Sequence, residues 1–360
     1  MTKVRIGVLG AGRGVALAKA MSLAPSAALA AICDADEKRL AAAAGIVSKT
    51  YRRYEDMLEA PDIDAVLVAS PMPLHAQHSA AALKAGKHVL SEVTAATSLE
   101  QCYELLEAVK ASGRKYMLAE NYCYYRPWMI VMGMVRAGLF GEVYYGESDQ
   151  IQDFKGGLSH PDTGYNWRTA ELAMRRGHQY ITHNLGPLYQ AMGNERIKTV
   201  VCLGSGQHHL PWAKADDTCI VLGQTSSGKL VRIRLDFFST RPNNYTYSGL
   251  QGTSACYEGP RGLKDEHKIH VKGQTPPGTW QSLEELATYL PPAWKALPAD
   301  KAGSYDGGSA LMIEDFARAI LDNTRPPIDV IDALNMTAPG LMSEVSAERG
   351  GAPVDVPEFK

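Results

Sequence analysis

The first 34 residues contain the pattern that most limits the fold of this chain. In VRIGVLGAGRG, Val4, Ile6 and Val8 alternate as in a short buried strand, and a glycine-rich turn follows. A helical segment, VALAKAMSLA, comes next, and a second apolar run, AALAAICD, ends in Asp34. Strand, glycine turn, helix and strand in this order predict a βαβ unit with parallel strands.

The glycine turn predicts a dinucleotide site. Glycines permit a tight turn and let backbone N–H groups approach a pyrophosphate at the positive end of a helix. An acid at the end of the second strand binds the ribose hydroxyls of NAD and repels the phosphate of NADP. We therefore expect NAD as the cofactor, held by Gly10, Gly12, Arg13, Gly14 and Asp34. The spacing departs from GxGxxG at Val15, and Arg39 near Asp34 leaves some use of NADP open.

Strands and helices continue to alternate up to about residue 122. DIDAVLVAS, KHVLSE and KYMLAEN read as strands, and HSAAALKAG and SLEQCYELLEAVKASG read as helices. This order predicts a doubly wound parallel sheet, whose ligand lies outside the carboxyl ends of the strands. The polar residues expected at those ends, and therefore beside the cofactor, are Ser70, His75, Glu92 and Asn121.

The second part of the chain has a different pattern. EVYYGESDQIQDF and TCIVLGQTSSGKLVRIRLDFF read as long strands, with a hairpin at Ser227-Gly228. We predict an α/β protein with a Rossmann domain over residues 1–122 and a substrate-binding and oligomerisation domain over residues 123–360. The second domain should hold an open, mainly antiparallel sheet flanked by helices. Residues 259–303, rich in Gly, Pro and Lys, are expected to form an excursion or lid.

Composition excludes several classes of function. A chain of 360 residues suits two domains, and a net charge of −2 gives no general attraction to nucleic acid or anionic membranes. No uninterrupted apolar run reaches membrane-spanning length. The six cysteines form no CxxC pair, so we expect no metal site and a reduced, cytoplasmic protein.

Several motifs together resemble the Gfo/Idh/MocA oxidoreductases, the glucose–fructose oxidoreductase and inositol dehydrogenase superfamily. They are VRIGVLGAGRG, CDAD, VLVASPMPLHA, HVLSEV, AENYCYYRP, GLFGEV and DALNMTAPGLMSEVSAERGG. The resemblance implies an NAD(P) domain followed by a domain whose open sheet forms a substrate wall and an oligomer interface. It therefore implies a homodimer or homotetramer.

This sequence departs from that family at two catalytic positions. The family usually carries Glu-Lys-Pro after the fifth strand, where this chain reads Glu92-Val93-Thr94 and so lacks the lysine. The usual aspartate and histidine of the second domain are replaced by Tyr180-Ile-Thr-His183. The catalytic groups of an ordinary dehydrogenase therefore cannot be carried across.

A subgroup, the NAD-dependent glycoside hydrolases typified by an α-N-acetylgalactosaminidase, shares both departures. Its motifs are similar to HVLSEVTAA, Glu120-Asn121-Tyr122-Cys123-Tyr124, Trp167-Arg168 and Tyr180-Ile-Thr-His183-Asn-Leu-Gly-Pro here. The subgroup oxidises carbon 3 of a sugar with NAD, removes the proton of carbon 2, expels the group on carbon 1, adds water and reduces the ketone. The resemblance implies Tyr124 as the carbon 2 base and His183 as the partner of the carbon 3 hydroxyl. Substrate contacts are expected from Tyr180, Arg168, Trp167 and Glu92.

The residues themselves leave alternatives open. Without the lysine, the base can come from Tyr124, Tyr180, His183 or His75, and a catalytic tyrosine needs a cationic neighbour such as Arg168. Tyr180 and His183 are three residues apart in a segment that reads as helical, so a buried pair that only packs is an alternative. His178 and His183 lie off helical ligand spacing, and His208-His209 is expected at the surface.

Three wider alternatives concern the substrate and the activity. Arg175 and Arg176 are typical of a solvated face, with contact to an anionic substrate group as the alternative. A simple NAD-dependent sugar or polyol dehydrogenase is the alternative to redox-neutral cleavage of a sugar or glycoside. A non-catalytic nucleotide-binding regulator is the alternative from another class.

Overall fold

The computed structural model describes residues 2–160, 162, 164, 166–244, 247–298, 300–301 and 305–360. The strands are β1 Val4–Leu9, β2 Ala27–Cys33, β3 Thr50–Tyr51, β4 Ala65–Val68, β5 His88–Ser91, β6 Tyr116–Leu118, β7 Val143–Ile151, β8 Ile197–Gly204, β9 Thr218–Thr225, β10 Leu230–Asp236, β11 Ser248–Gly252, β12 Ala255–Glu258, β13 Lys268–Val271, β14 Gln281–Ser282 and β15 Val354–Asp355. The helices are α1 Arg13–Met21, α2 Glu37–Ala43, α3 Tyr54–Leu58, α4 His75–Lys84, α5 Leu99–Ser112, α6 Arg126–Arg136, α7 Thr182–Ala191, α8 Pro292–Lys295, α9 Tyr305–Leu321 and α10 Val330–Glu348.

The first compact unit contains the glycine turn. It comprises Met1–Arg126 and Pro292–Leu334. Its sheet has the order β3-β2-β1-β4-β5-β6, and the neighbouring strands pair in parallel. All four residues of β4 are buried, as expected for a parallel strand with both faces covered. The predicted Rossmann fold is therefore confirmed.

The segment 292–334 belongs to this first unit, whereas the predicted division had placed it with residues 123–360. The backbone N–H and hydroxyl of Ser26 both donate to the Glu314 carboxylate of α9, at 2.8 and 2.7 Å. The N–H of Leu118, in β6, donates to the carbonyl of Ile328 at 3.0 Å. The chain thus returns to complete the first unit, because α9 packs against α1 and Ile328 bonds β6.

The second unit comprises Pro127–Pro291 and Asn335–Lys360. Its sheet has the order β14-β13-β12-β11-β7-β10-β9-β8-β15. Among the described residues, only β7 and β10 pair in parallel, so the predicted mainly antiparallel sheet is confirmed. The hairpin between β9 and β10 turns at Gly228, whose φ of 94° favours glycine.

The expectation of a lid over 259–303 is wrong for part of that segment. β13 pairs with β12, and β14 pairs with β13, so both strands extend the sheet. Ile269 and Val271 are buried, while Lys268 and His270, which alternate with them, are partly exposed. This alternation gives β13 one face toward the core and holds it in the sheet.

One face of the second sheet carries exposed apolar side chains. Leu203 and Ile220 are cross-strand partners, and Leu222 lies two residues beyond Ile220 on the same strand. Leu222 pairs with Arg232, which lies two residues beyond Leu230, so all four apolar residues share one face of the sheet. The exposed fractions are 60% for Leu203, 37% for Ile220, 50% for Leu222 and 48% for Leu230. We call Leu203, Ile220, Leu222 and Leu230 the open sheet face.

Two expectations from composition concern the described residues. Within these ranges, no helix has both the length and the apolar character needed to cross a membrane. The six cysteines are all free, and Cys256 is the one that is not fully buried.

Candidate functional site

The glycine turn between β1 and α1 is shaped for close approach of a ligand to the backbone. Gly10 has a φ of 102°, and a Cβ there would lie 2.4 Å from the carbonyl oxygen of Ala69. A Cβ on Gly14 would lie 2.5 Å from Val8 Cγ1, so this glycine lets α1 pack on β1. A Cβ on Gly12 would meet no described atom within 4 Å. The backbone at Gly12 is therefore open to a ligand, while Gly10 and Gly14 serve the fold.

The amino end of α1 lacks a side-chain cap. Gly12 occupies the N-cap position and has no side chain to accept from the first N–H groups of the helix. An anion such as the pyrophosphate of a dinucleotide fits this position, because it would accept from those groups at the positive end of the helix. The residues present thus fit NAD.

Asp34 follows β2 and bonds to the glycine turn. Its Oδ2 accepts from the N–H of Ala11 at 2.7 Å, and its Oδ1 accepts from the N–H of Asp36 at 2.9 Å. Arg39 Nη1 lies 3.9 Å from Asp34 Oδ2, and the Arg39 side chain is 60% exposed. The Asp34 carboxylate thus lies where the ribose of a bound dinucleotide is expected, and Arg39 lies beside it.

Arg13 and Glu92 connect the glycine turn to the end of β5. Arg13 Nε donates to Glu92 Oε1 at 2.9 Å, and the Glu92 side chain is buried. This ion pair joins the end of β5 to the start of α1. Sequence reasoning named both residues as cofactor contacts but did not find this pair, since 79 residues separate them.

His75 is buried between two backbone carbonyls. Its Nδ1 lies 2.9 Å from the Thr94 oxygen and its Nε2 lies 2.8 Å from the Ser70 oxygen. Burial lowers the pKa of the ring, against the opposing effect of these carbonyls. Because both nitrogens face these carbonyls, His75 ties the β4 and β5 ends together and is a poor candidate for the base. The hydroxyl of Ser70 lies 2.9 Å from His78 Nδ1.

The segment after β6 forms a short 3-10 turn, Asn121–Tyr124. Asn121 is buried, and its Nδ2 makes no hydrogen bond of good geometry with the described atoms. The Tyr124 hydroxyl donates to Asp315 Oδ2 on α9 at 2.8 Å. Tyr122 and Tyr125 stack on each other, with ring centroids 4.4 Å apart. The Tyr124 hydroxyl is thus bonded to an ionisable side chain.

In the second unit, Tyr180 and His183 contact each other through their rings. The centroids are 4.9 Å apart and the planes meet at 80°. His183 lies in the first turn of α7, whereas Tyr180 lies in the turn that precedes it. The expectation of one helix through both residues is therefore wrong, although their side chains do meet.

Gly186-Pro187, a pair of residue types that normally ends a helix, lies inside α7. The sixth residue of the helix is Pro187, and its missing N–H cannot donate one turn back. The surrounding core holds the helix together, since Leu185, Pro187 and Leu188 are all buried. Packing therefore overrides the local signal of the proline.

Trp167 and Arg168 stand next to a short π-helix, Thr169–Ala173. The guanidinium carbon of Arg168 lies 4.4 Å from the centre of the Trp167 ring, a cation–π contact. Arg168 is exposed and Trp167 is partly exposed. Both side chains can therefore contact a ligand from outside.

Arg175 and Arg176 are bonded to carboxylates of the chain. Arg175 pairs with Glu171 at 2.8 Å and with Glu344 at 2.5 Å. Arg176 donates to both oxygens of Asp216 at 3.0 Å. Because these guanidinium groups are already paired with carboxylates, their contacts are those of structural residues and give no support to the alternative, contact with an anionic substrate.

The remaining histidines of this unit also have bonds within the chain. His178 is buried, and its Nε2 donates to Asn184 Oδ1 at 3.1 Å. Burial lowers the pKa of His178 to about 3, so the ring is neutral. Asp217 accepts from the backbone N–H groups of His208 and His209 and from His209 Nδ1. The described part of the chain holds no cluster of three metal-ligating side chains.

Two family matches cover different parts of the chain. Residues 4–120 match the Gfo/Idh/MocA oxidoreductase family, with an NAD-binding Rossmann fold. Residues 204–360 match the C-terminal domain of glycosyl hydrolase 109. The first match agrees with the glycine turn and identifies the first unit as an NAD-binding domain.

Individual relatives extend over most of the chain. A glycosyl hydrolase family 109 protein of Parabacteroides distasonis is 30% identical over 350 residues, covering 86% of this chain and 74% of the relative. An alpha-N-acetylgalactosaminidase of Tannerella forsythia is 30% identical over 348 residues, covering 86% and 73%. A solved levoglucosan dehydrogenase in complex with NADH has a TM-score of 0.83 at 20% identity, over 99% of this chain and 100% of that one. The likeness to the levoglucosan dehydrogenase shows that the two proteins share a fold.

Proposed function

This chain belongs to glycosyl hydrolase family 109, and from that membership we propose that it is an NAD-dependent enzyme that cleaves a glycoside without net redox change. The observation that carries the proposal is that one chain matches both an NAD-binding Rossmann domain and a glycosyl hydrolase 109 C-terminal domain. Hydrolysis causes no net change of oxidation state. A hydrolase that uses NAD must therefore return the cofactor to its oxidised form within each catalytic cycle.

The cofactor is assigned to the glycine turn. Gly12 and the amino end of α1 would hold the pyrophosphate, and Asp34 would accept from the ribose hydroxyls. Asn121, whose buried Nδ2 makes no hydrogen bond of good geometry with the described atoms, is a further proposed contact. When bound, NAD supplies a hydride acceptor for a sugar carbinol and, once reduced, a donor for the resulting ketone.

Proton transfer is assigned to Tyr124 and His183. We assign Tyr124 Oη as the acceptor of the carbon 2 proton and His183 as the acceptor of the carbon 3 hydroxyl proton. An imidazole within hydrogen-bond reach of a hydroxyl can take up its proton, which suits His183 to this role. Support comes from the motif resemblance, the Tyr124–Asp315 bond and the Tyr180–His183 contact.

Sugar positioning is assigned to four residues. Trp167 and Arg168 are accessible and mutually stacked, so they can present an apolar face and a hydrogen-bond donor to a ring. Tyr180 would orient the sugar together with His183, and Glu92 would accept from a hydroxyl. The bonded state of Arg175 and Arg176 gives no support to an anionic substrate.

Self-association is proposed through the open sheet face. Leu203, Leu222 and Leu230 are each about half exposed or more, which is unusual for large apolar side chains in one patch. We propose a homodimer or homotetramer that covers them. Light scattering should give more than one chain mass, and the double variant Leu203→Glu/Leu222→Glu should give a smaller particle. A single chain mass for the unaltered protein contradicts this proposal.

The experiment that tests the function uses the NAD-loaded enzyme and p-nitrophenyl α-N-acetylgalactosaminide, with other aryl glycosides as further probes. This first probe follows from the name of the Tannerella relative. In deuterated water, cleavage should give a sugar labelled at carbon 2, without accumulation of NADH. Tyr124→Phe should still oxidise carbon 3 but lose both label uptake and cleavage. Stoichiometric NADH with an intact, unlabelled glycoside would instead show a dehydrogenase, and no reaction with any probe would favour a binding protein.

A further inference from the structure

Tyr124 is buried, and its hydroxyl bonds to a carboxylate that reaches solvent. Only 4% of Tyr124 is exposed, whereas Asp315 is exposed. The bond from Tyr124 Oη to Asp315 Oδ2 measures 2.8 Å and joins residues 191 positions apart. A neutral phenol that takes a proton from a sugar must also give up its own proton, and this bond offers a path for that proton.

The packing of α9 fixes this bond in place. A Cβ on Gly308 would lie 2.7 Å from the carbonyl oxygen of Tyr124, so α9 touches the Tyr124 backbone there. Gly308 and Asp315 are seven residues apart, or about two helical turns, and therefore share one face of α9. The Tyr124 side chain thus runs along α9, from Gly308 at its backbone to Asp315 at its hydroxyl. One residue earlier, Glu314 holds α9 to Ser26.

We infer that Asp315 is a positioning and proton-accepting residue that makes Tyr124 a base, an inference that rests on the proposed function. As the carbon 2–hydrogen bond of the 3-keto sugar breaks, its proton goes to Tyr124 Oη and its electron pair forms the enolate with the ketone. In the same step the hydroxyl proton of Tyr124 moves to Asp315 Oδ2. Asp315 then exchanges that proton with water.

Simultaneous transfer is required by the acidities of the two groups. A phenol is a much weaker acid than a carboxylic acid, so Tyr124 would not give up its proton to Asp315 unaided. The arrival of the carbon 2 proton on the same oxygen removes that barrier. The proton of carbon 2 is thereby linked to solvent through a buried side chain.

The test replaces the carboxylate while keeping its shape. Asp315→Asn still accepts the Tyr124 hydrogen bond through its amide oxygen but cannot take the proton. We expect cleavage of the aryl glycoside and carbon 2 label uptake to fall at least tenfold, with hydride transfer in a single turnover changed by less than about twofold. Asp315→Glu should recover part of the lost rate. Glu314→Gln, on the same helix but bonded to Ser26, is the matched control and should keep the rate and the label.

A double-mutant cycle separates this role from mere support of the fold. If both residues serve one proton path, Asp315→Asn adds no further loss in the Tyr124→Phe background. Normal label uptake by Asp315→Asn, or additive losses in the double variant, would overturn the inference. The failure of the proposed function looks different, because the unaltered enzyme would then show neither cleavage nor label.

Discussion

The ring of His183 meets the ring of Tyr180 nearly at a right angle, with 4.9 Å between their centroids. His183 is 9% exposed, so the pair is largely sheltered yet reachable from one side. This arrangement limits the rotation of the imidazole and is suited to a group that must hold one orientation during proton transfer.

Replacing His183 should therefore remove activity. We expect His183→Ala to lower kcat/KM for an accepted glycoside by about 10² to 10⁴, the usual range for loss of a general acid–base group. The matched control replaces both His208 and His209 with Gln and should keep activity within a few-fold. Steady-state rates measure both variants. Greater loss from the control pair would move the site toward the Asp217 loop.

Gly14 should affect the stability of the fold, whereas Gly12 should affect the binding of NAD. Gly14→Ala places a Cβ against Val8 and should lower the free energy of unfolding by about 1–3 kcal/mol through overpacking. Gly12→Ala meets no described atom, so it should leave unfolding almost unchanged while weakening NAD binding at least tenfold. Denaturant unfolding and calorimetric titration measure the two quantities. Normal NAD affinity in Gly12→Ala contradicts the assignment of the pyrophosphate.

Asp34 should make NAD the preferred cofactor. Its carboxylate repels the 2′-phosphate of NADP, so the dissociation constant should be lower for NAD, and Asp34→Ser should narrow the difference. Arg39→Gln is the control that removes the neighbouring cation and should leave the preference for NAD intact. Calorimetry with both cofactors provides the measurement. Tighter binding of NADP by the unaltered protein would show that Arg39 dominates.

His178 should make stability depend on pH in mildly acidic solution. Burial lowers its folded pKa to about 3, below the value near 6.5 of an unfolded histidine. The unfolded chain therefore binds more protons between these values, so stability is full above about pH 6.5 and falls as the pH drops toward 3. His178→Gln should flatten the fall by up to about 1.4 kcal/mol per pH unit.

Urea unfolding at a series of pH values measures that slope. His208→Gln, which makes the same replacement at an exposed histidine, serves as the control. An unchanged slope in His178→Gln would mean that the ring takes up a proton without unfolding the chain.

The sequence predicted the parts of the fold that local patterns encode. The order from Val4 to Asp34 identifies a βαβ unit because strand and helix periods differ, and Ser227-Gly228 marks a hairpin because of its turn residues. The return of 292–334 to the first unit carries no such signal, since α9 would be apolar on one face in either unit. Its position depends on contacts such as Ser26–Glu314.

The residues of the candidate site also divide into those that a local pattern suggests and those that depend on contacts between distant parts of the chain. Gly10, Gly12 and Asp34 belong to one short stretch, so spacing alone could suggest them. Asp315 could not be found in this way, because its partner Tyr124 is 191 residues away. The pairing of Arg175 with Glu344 spans a similar distance and removed a candidate that the sequence had left open.

The discontinuous makeup of both units affects how the chain is completed during synthesis. A nascent chain that has reached residue 291 still lacks Pro292–Leu334 of the first unit and Asn335–Lys360 of the second. The NAD-binding domain therefore lacks α9, the partner of α1 and Tyr124, until that helix has been synthesised. A chain cut within residues 127–291 therefore contains two unfinished units, and synthesis of residues 292–360 supplies the missing part of each.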